Sequence, residues 1–202
     1  MLNKFYHGGI VMSKVFEITW YGRGGLGAKT GAILLADAAI AADKYVQAFP
    51  EYGPERQGAP LKVYNRISDD PIRLHTAVTE PNFIIVIDPS LLENINFEDE
   101  LKEDGMILVN TDKNVDEIKK RMKTGKKNFK IYALDATAIS MKHLGKNIPN
   151  IAILGGFAKI TGLIRLDEIK KHLHAKLITK YGEDIIKKNV LALESAYEEV
   201  KQ

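Results

Sequence analysis

The stretch that most constrains the fold runs from residue 16 to residue 42 and reads FEITWYGRGGLGAKTGAILLADAAIAA. Apolar and polar residues alternate at its start, which predicts a short β-strand. Glycines follow at positions 22, 24, 25 and 27, and an alanine-rich segment with few helix breakers comes after them. This order of strand, glycine turn and helix is typical of sites that bind phosphate groups.

The glycine turn is the candidate binding site of the chain. Its first, third and sixth positions fit the spacing G-x-G-x-x-G. Glycine allows a ligand to approach the main chain closely, and the free N–H groups at the start of a helix favour an anion. Arginine, lysine and threonine side chains add positive charge and a hydroxyl there. The candidate site residues are Gly22, Arg23, Gly24, Gly25, Gly27, Lys29 and Thr30.

Two other interpretations of this turn remain open. The glycines could simply allow a helix to pack closely against a strand. A nicotinamide cofactor is also possible, but it requires an acidic residue about 20 positions further on, at the end of the second strand. Glu51 lies near that place, although Pro50 and Gly53 surround it with turn chemistry. No Gly-Lys-Ser/Thr follows at the distance that a Walker A loop requires.

Composition places the chain among ordinary globular proteins. Its 202 residues suffice for one domain with a substantial core, and the net charge of +3 does not imply a nucleic-acid partner. No apolar run could cross a bilayer and no secretory signal is recognisable, so we expect a cytoplasmic protein without membrane contact. Cysteine is absent, which excludes disulfides and any iron–sulfur cluster held by cysteines of this chain.

The pattern along the chain predicts an α/β fold, Rossmann-like, with a mostly parallel sheet flanked by helices and a helical C-terminus. The first helix should lead into a second strand that closes a βαβ unit, and residues 72–77 could form a short hairpin partner. The C-terminal segment predicts two helices divided near Tyr181-Gly182. Further strands are predicted at residues 45–49, 61–67, 83–87, 106–109 and 131–134.

No linker divides the chain, so we expect a single domain over residues 1–202. The first eleven residues lack periodicity, whereas Met12 opens a natural lead-in to the first strand. We therefore predict that translation starts at Met12 and that residues 1–11 lie outside the native protein.

The sequence gives little indication of catalytic or metal-binding residues elsewhere in the chain. The five histidines show no metal-binding spacing, and there is no G-x-S-x-G motif for a serine nucleophile. Asp88 and Asp135 follow predicted strands, where α/β sheets place ligands. Their more ordinary role is to cap the helix that comes next. We predict neither a catalytic residue nor a metal ligand in this chain.

Four segments together resemble a known family: WYGRGGLGAKTGAILLADAA, AFPEYGPERQGAPLKVYNRISDDPIR, EPNFIIVIDPSLL and DATAISMKHLGKNIPNIAILGGFAKITGLI. They are similar to the gamma subunit of pyruvate:ferredoxin oxidoreductase, the small subunit of the 2-oxoacid:ferredoxin oxidoreductases. The resemblance extends over essentially the whole chain from Val15 onward. Within the family, PEYGPERQGAP is more similar to the pyruvate and branched-chain versions than to the 2-oxoglutarate ones.

The resemblance implies one subunit of an enzyme that decarboxylates pyruvate oxidatively to acetyl-CoA and passes the electrons to ferredoxin. It implies partner alpha, beta and delta subunits, with thiamine diphosphate and magnesium on alpha and beta and iron–sulfur clusters on beta and delta. This chain would help to hold coenzyme A at the glycine turn. A substrate such as 2-oxoisovalerate is one alternative, and a free-standing NAD(H)-binding regulatory module is another.

A loop rich in proline and glycine follows the second predicted strand. Tyr52, Glu55 and Arg56 of this loop are predicted to contact partner subunits. A rigid surface loop without such contacts is the alternative.

Overall fold

The computed structural model describes residues 15–51, 59–122 and 127–202. The predicted subunit contacts Tyr52, Glu55 and Arg56, and the predicted start at Met12, therefore lie outside the described residues.

A six-stranded mixed sheet forms the centre of the described part of the chain. The order across it is β2-β3-β1-β4-β5-β6. The neighbours β1, β4, β5 and β6 are parallel, whereas β3 runs antiparallel to both β1 and β2. The α/β fold with a mostly parallel sheet is thereby confirmed. The strands are β1 Phe16–Arg23, β2 Tyr45–Pro50, β3 Pro60–Ser68, β4 Phe83–Val86, β5 Met106–Asn110 and β6 Lys130–Leu134.

Helices connect the strands and occupy the C-terminal part of the chain. The last of them is interrupted at Gly182, whose φ of 73° and ψ of 171° are not helical, so the predicted division near this residue is confirmed. The helices are α1 Ala28–Ala41, the 3₁₀ helix Pro89–Asn94, α2 Phe97–Glu100, α3 Val115–Arg121, α4 Ala136–Leu144, α5 Asn150–Thr161 and α6 Leu166–Glu199.

The core has two layers because side chains of a strand alternate between the faces of the sheet. Ile18 and Trp20 of β1 lie in the layer that α1, α4, α5 and α6 cover. Tyr21, from the same strand, lies in the layer covered by the 3₁₀ helix, α2 and α3. β4 is buried at every residue, as predicted for a central strand with helices on both faces.

β1, α1 and β2 form the predicted βαβ unit, because β1 and β2 both run antiparallel to β3 and are therefore parallel to each other; β3 lies between them in the sheet. The expectation of a hairpin partner at residues 72–77 is wrong, because these residues form no strand. Instead, Arg66 and Gln47 side chains bind the backbone carbonyls of this segment, with Arg66 Nη2 at 2.7 Å from the Thr76 oxygen and Gln47 Nε2 at 3.0 Å from the Leu74 oxygen.

Among the described residues, no helix combines the length and apolar character needed to cross a bilayer. The same residues include no group of three or more His, Cys, Asp or Glu side chains placed to hold a metal ion.

Candidate anion-binding site at the glycine turn

The seven predicted site residues lie together where β1 passes into α1. Gly22 and Arg23 end the strand, and Gly27 is the N-cap of the helix. Gly25 and Gly27 have φ angles of +98° and +82°, a left-handed backbone that L-residues with a side chain rarely adopt. Glycine is therefore required at these two positions by the shape of the turn.

Part of the turn is fixed by its own backbone. The Gly24 N–H donates to the Ala59 oxygen at 3.4 Å, and the Leu26 N–H donates to the Arg23 oxygen at 3.2 Å. The first intrahelical bond of α1 runs from the Gly31 N–H to the Gly27 oxygen at 2.8 Å. The N–H groups of residues 28–30 come before that bond and therefore have no acceptor within the helix, as in the first turn of any α-helix.

Within the described residues, no side-chain hydrogen bond caps the N-terminus of α1, and the same holds for α5. By contrast, the side chain of Asn114 caps α3 and that of Asp135 caps α4. The capping role predicted for Asp135 is thus confirmed. At α1 the turn is open to solvent, with Gly25, Lys29 and Thr30 exposed. Uncapped N–H groups, the positive end of the helix dipole and an exposed lysine together form an environment that attracts an anion.

Asn150, which the sequence did not mark as a site residue, borders this turn. A Cβ atom added to Gly27 would lie 2.9 Å from Nδ2 of Asn150, so the amide lies directly against the backbone of the N-cap. Asn150 is only 3% exposed, and its Oδ1 accepts the Ile151 N–H at 2.9 Å. In the described part of the chain, Nδ2 has no hydrogen-bond acceptor.

Arg23 is held on the side of the turn towards β4. Its Nε lies 2.7 Å from Oδ2 of Asp88, and its Nη2 lies 3.2 Å from the Ser90 hydroxyl. Asp88 also caps the 3₁₀ helix by accepting the Ser90 N–H at 2.9 Å, which confirms its predicted capping role. Partial burial acts to raise the pKa of Asp88, but hydrogen bonds from Ser90 and Arg23 outweigh it and lower the pKa.

Gly22 and Gly31 serve packing. A Cβ on Gly22 would lie 3.0 Å from that of Ala28, so the strand and the helix approach closely here. A Cβ on Gly31 would lie 2.9 Å from the Trp20 ring. The Trp20 indole in turn donates to Asn65 Oδ1 at 2.8 Å. These contacts fix the start of α1 rigidly against the sheet.

A polar cluster lies on the opposite face of β1. The Tyr21 hydroxyl donates to Glu100, and Lys62 Nζ lies 3.0 Å from Oε2 of the same carboxylate. Burial, followed by the hydrogen bond to Glu100 and then the negative charge of that carboxylate, raises the pKa of Tyr21 well above its usual range. Burial, followed by Glu51, raises the pKa of Tyr64 to about 12. Both phenols therefore stay protonated at neutral pH.

Residues 17–199 match the family described as Pyruvate ferredoxin/flavodoxin oxidoreductase. Pyruvate synthase subunit PorC of Thermotoga maritima is 46% identical to the chain, over 95% of it and 97% of the relative. The common subunit gamma of the pyruvate/ketoisovalerate oxidoreductases of Pyrococcus abyssi is 42% identical, over 93% of this chain and 98% of that protein.

Solved structures give a matching result. A crystal structure of pyruvate oxidoreductase subunit PORC from Thermotoga maritima superposes with a TM-score of 0.81 at 41% identity, covering 93% of this chain and 98% of that one. The 2-oxoglutarate:ferredoxin oxidoreductase of Magnetococcus marinus, solved with 2-oxoglutarate, coenzyme A and succinyl-CoA bound, superposes with a TM-score of 0.74 at 19% identity. The shared fold covers 92% of this chain and 31% of the Magnetococcus marinus chain.

Proposed function

The chain belongs to the pyruvate ferredoxin/flavodoxin oxidoreductase family as a gamma subunit, and from this premise we propose that its glycine turn holds the nucleotide end of coenzyme A. The enzyme that it serves would decarboxylate pyruvate oxidatively, form acetyl-CoA and pass the electrons to ferredoxin. This chain would contribute no catalytic residue. Alpha, beta and delta subunits would carry thiamine diphosphate, magnesium and the iron–sulfur clusters. The absence of cysteine from this chain agrees with that division.

The open N-terminus of α1 is the observation that supports the proposal. The helix presents uncapped N–H groups beside exposed Lys29 and Thr30, whereas α3 and α4 are capped by their own side chains. A glycine at the N-cap in place of a capping side chain costs the helix only a few tenths of a kcal/mol, and it leaves these N–H groups available to an external anion. A diphosphate is an anion of suitable size and charge for a helix N-terminus.

The contribution of the turn to the reaction would be positional. With the nucleotide end fixed, the thiol of coenzyme A would reach an acyl intermediate that partner subunits hold. Holding a second reactant in place lowers the entropy cost of bringing the two reacting groups together. Arg23 would shape the turn through its bonds to Asp88 and Ser90, and Lys29 would face the phosphates.

A Gly27→Val substitution in the assembled enzyme tests the proposal. Valine would be strained at a φ of +82°, and its Cβ would collide with Asn150. We expect the KM for coenzyme A to rise at least about tenfold, as for the loss of a charge-assisted hydrogen bond. Reduction of the thiamine centre by pyruvate alone should remain measurable, because it does not require coenzyme A.

Gly162→Val is the matched control. This glycine ends α5 with a φ of +59° and has nothing within 4 Å of an added Cβ, so it carries similar backbone strain at the other end of that helix. Its KM for coenzyme A should stay at the wild-type value. An unchanged KM in Gly27→Val, with the variant subunit incorporated into the enzyme, would refute the proposal.

The relative from Pyrococcus abyssi favours a second substrate. Its name describes a gamma subunit common to pyruvate and ketoisovalerate oxidoreductases, so 2-oxoisovalerate is the alternative oxoacid for the enzyme of this chain. Purification of the chain from its host decides between assemblies. Partner subunits with the brown colour of iron–sulfur clusters, and assays with both oxoacids, would identify the enzyme and its substrate. An isolated homodimer that binds NADH tightly and ignores coenzyme A would instead indicate a regulatory NAD(H) module.

A further inference from the structure

Two helix N-termini meet at the glycine turn. α1 begins directly after Gly27, and α5 begins at Asn150, whose side chain lies against Gly27. In the part of the chain that the structure describes, neither helix has a side-chain cap. The positive ends of the two helix dipoles therefore point into the same small region, and each adds to the attraction for an anion.

Asn150 brings a donor into this region in a fixed orientation. Its Oδ1 accepts the Ile151 N–H at 2.9 Å. That bond determines which amide atom is oxygen, since only the oxygen can accept. Nδ2 is then turned towards Gly27, where a Cβ would lie 2.9 Å away. Asn150 as a whole residue is 3% exposed, and its Nδ2 has no acceptor within the described residues. An amide donor that is turned towards an open anion-binding turn is available to a ligand atom.

We propose that Asn150 is a phosphate ligand of this site, donating from Nδ2 to a phosphate oxygen seated between the starts of α1 and α5. The inference rests on the proposed function, in which the anion is a phosphate group of coenzyme A. It adds a second helix and a side chain from the C-terminal half of the chain to a site that the sequence places in the glycine turn alone.

Asn150→Asp is the decisive variant. Aspartate has the same shape and keeps an oxygen for the Ile151 N–H, and a carboxylate in the first turn of a helix stabilises that helix. It replaces the Nδ2 donor with negative charge that repels phosphate. We expect the assembled enzyme to keep its unfolding temperature and its kcat, while the KM for coenzyme A rises at least about tenfold. If Asn150 served only to pack α5 against α1, aspartate would leave this KM unchanged.

Two further variants keep the test decisive. Asn147→Asp adds the same charge at an exposed position three residues earlier, and its KM for coenzyme A should match the wild type. Asn150→Ala removes the donor without adding charge, and its KM should rise by less than that of Asn150→Asp. Should the aspartate variant fail to assemble, an Asn150→Ala enzyme with unchanged KM would overturn the inference.

The outcomes separate this inference from the proposed function. If Gly27→Val raises the KM for coenzyme A and Asn150→Asp does not, the turn binds coenzyme A without Asn150 and the inference is wrong. If neither variant changes the KM, both are wrong. If both raise the KM with kcat retained, both stand.

Discussion

Lys29 is the site residue whose charge can be removed with the least effect on the fold. It lies in the first turn of α1 with its side chain exposed. We predict that Lys29→Ala raises the KM for coenzyme A about 1.4- to fivefold, because exposed charge pairs contribute roughly 0.2–1 kcal/mol. The effect should shrink as salt is added, since exposed charges are screened. Steady-state kinetics at low and high ionic strength measure it.

Lys120→Ala is a suitable control for that substitution. Lys120 is also exposed, but it lies on α3, which covers the other face of the sheet. Its removal should leave the KM for coenzyme A unchanged at every salt concentration. A Lys29→Ala enzyme with the wild-type KM at low salt would exclude this lysine from the binding site.

Single residues show how far the candidate site could be predicted from the sequence. The spaced glycines and Lys29 after them could be recognised in the sequence, because the ability to adopt a left-handed backbone is a property of glycine itself. The partner of Arg23 is not visible there, since Asp88 comes from a different strand end. Asn150 reads in the sequence as a polar residue before an apolar helix, which usually indicates a cap. Only the crossing of α1 and α5 places it against Gly27.

Among the helices, the contact between α5 and α6 depends on one glycine. A Cβ on Gly155 would lie 2.1 Å from the Leu193 oxygen, a backbone atom that cannot rotate away. We predict that Gly155→Ala lowers the free energy of unfolding by about 1–3 kcal/mol through overpacking. Chemical denaturation of the purified subunit measures this loss.

Gly156→Ala serves as the comparison. Its Cβ would meet methyl groups of Leu134 and Leu108 at 2.9 and 3.3 Å, and these can adjust. This variant should be destabilised less than Gly155→Ala. Equal stability of Gly155→Ala and the wild type would mean that α5 and α6 can separate without loss.

Most elements could be predicted because each depends on a local pattern. The apolar run of β4, the divided C-terminal helix and the capping aspartates are all of this kind. The neighbours of each strand depend on tertiary packing, so the local pattern predicts the βαβ unit of β1, α1 and β2 but not the position of β3 between its two strands. The segment at residues 72–77 resembles a strand in composition. The Arg66 guanidinium, however, donates to the Thr76 and Ala77 carbonyls, which are then not available for pairing with a neighbouring strand.

The pH dependence of the whole molecule should include a contribution from the packing of α6 on α1. His172 has a buried Nε2 without a hydrogen-bond partner among the described residues, 3.9 Å from Oδ2 of Asp37. Lys176 also pairs with Asp37. Burial lowers the pKa of His172; Asp37 opposes this effect and Lys176 adds to it. The unfolded chain therefore binds a proton at this histidine more readily than the folded chain does.

The sign of the effect follows from that difference. Stability is complete above the unfolded pKa of about 6.5, and it falls as the pH drops through that value towards the lower pKa of the folded state. We predict that the unfolding temperature of the subunit decreases between pH 7 and pH 5, and that His172→Gln decreases less over the same range. Parallel profiles for the two proteins would show that His172 does not control this decrease.

The insertion of β3 between β1 and β2 also bears on how the chain acquires its shape. β3 binds β2 across a short stretch of sequence, with Tyr45 opposite Ser68, but it reaches β1 through pairs as distant as Phe16 and Ile67. Joining such remote segments closes a large loop, and the chain loses the entropy of loop closure before the stabilising contacts between the strands form. Spontaneous renaturation should therefore be slow for a polypeptide of this length, because this non-local pairing raises its contact order.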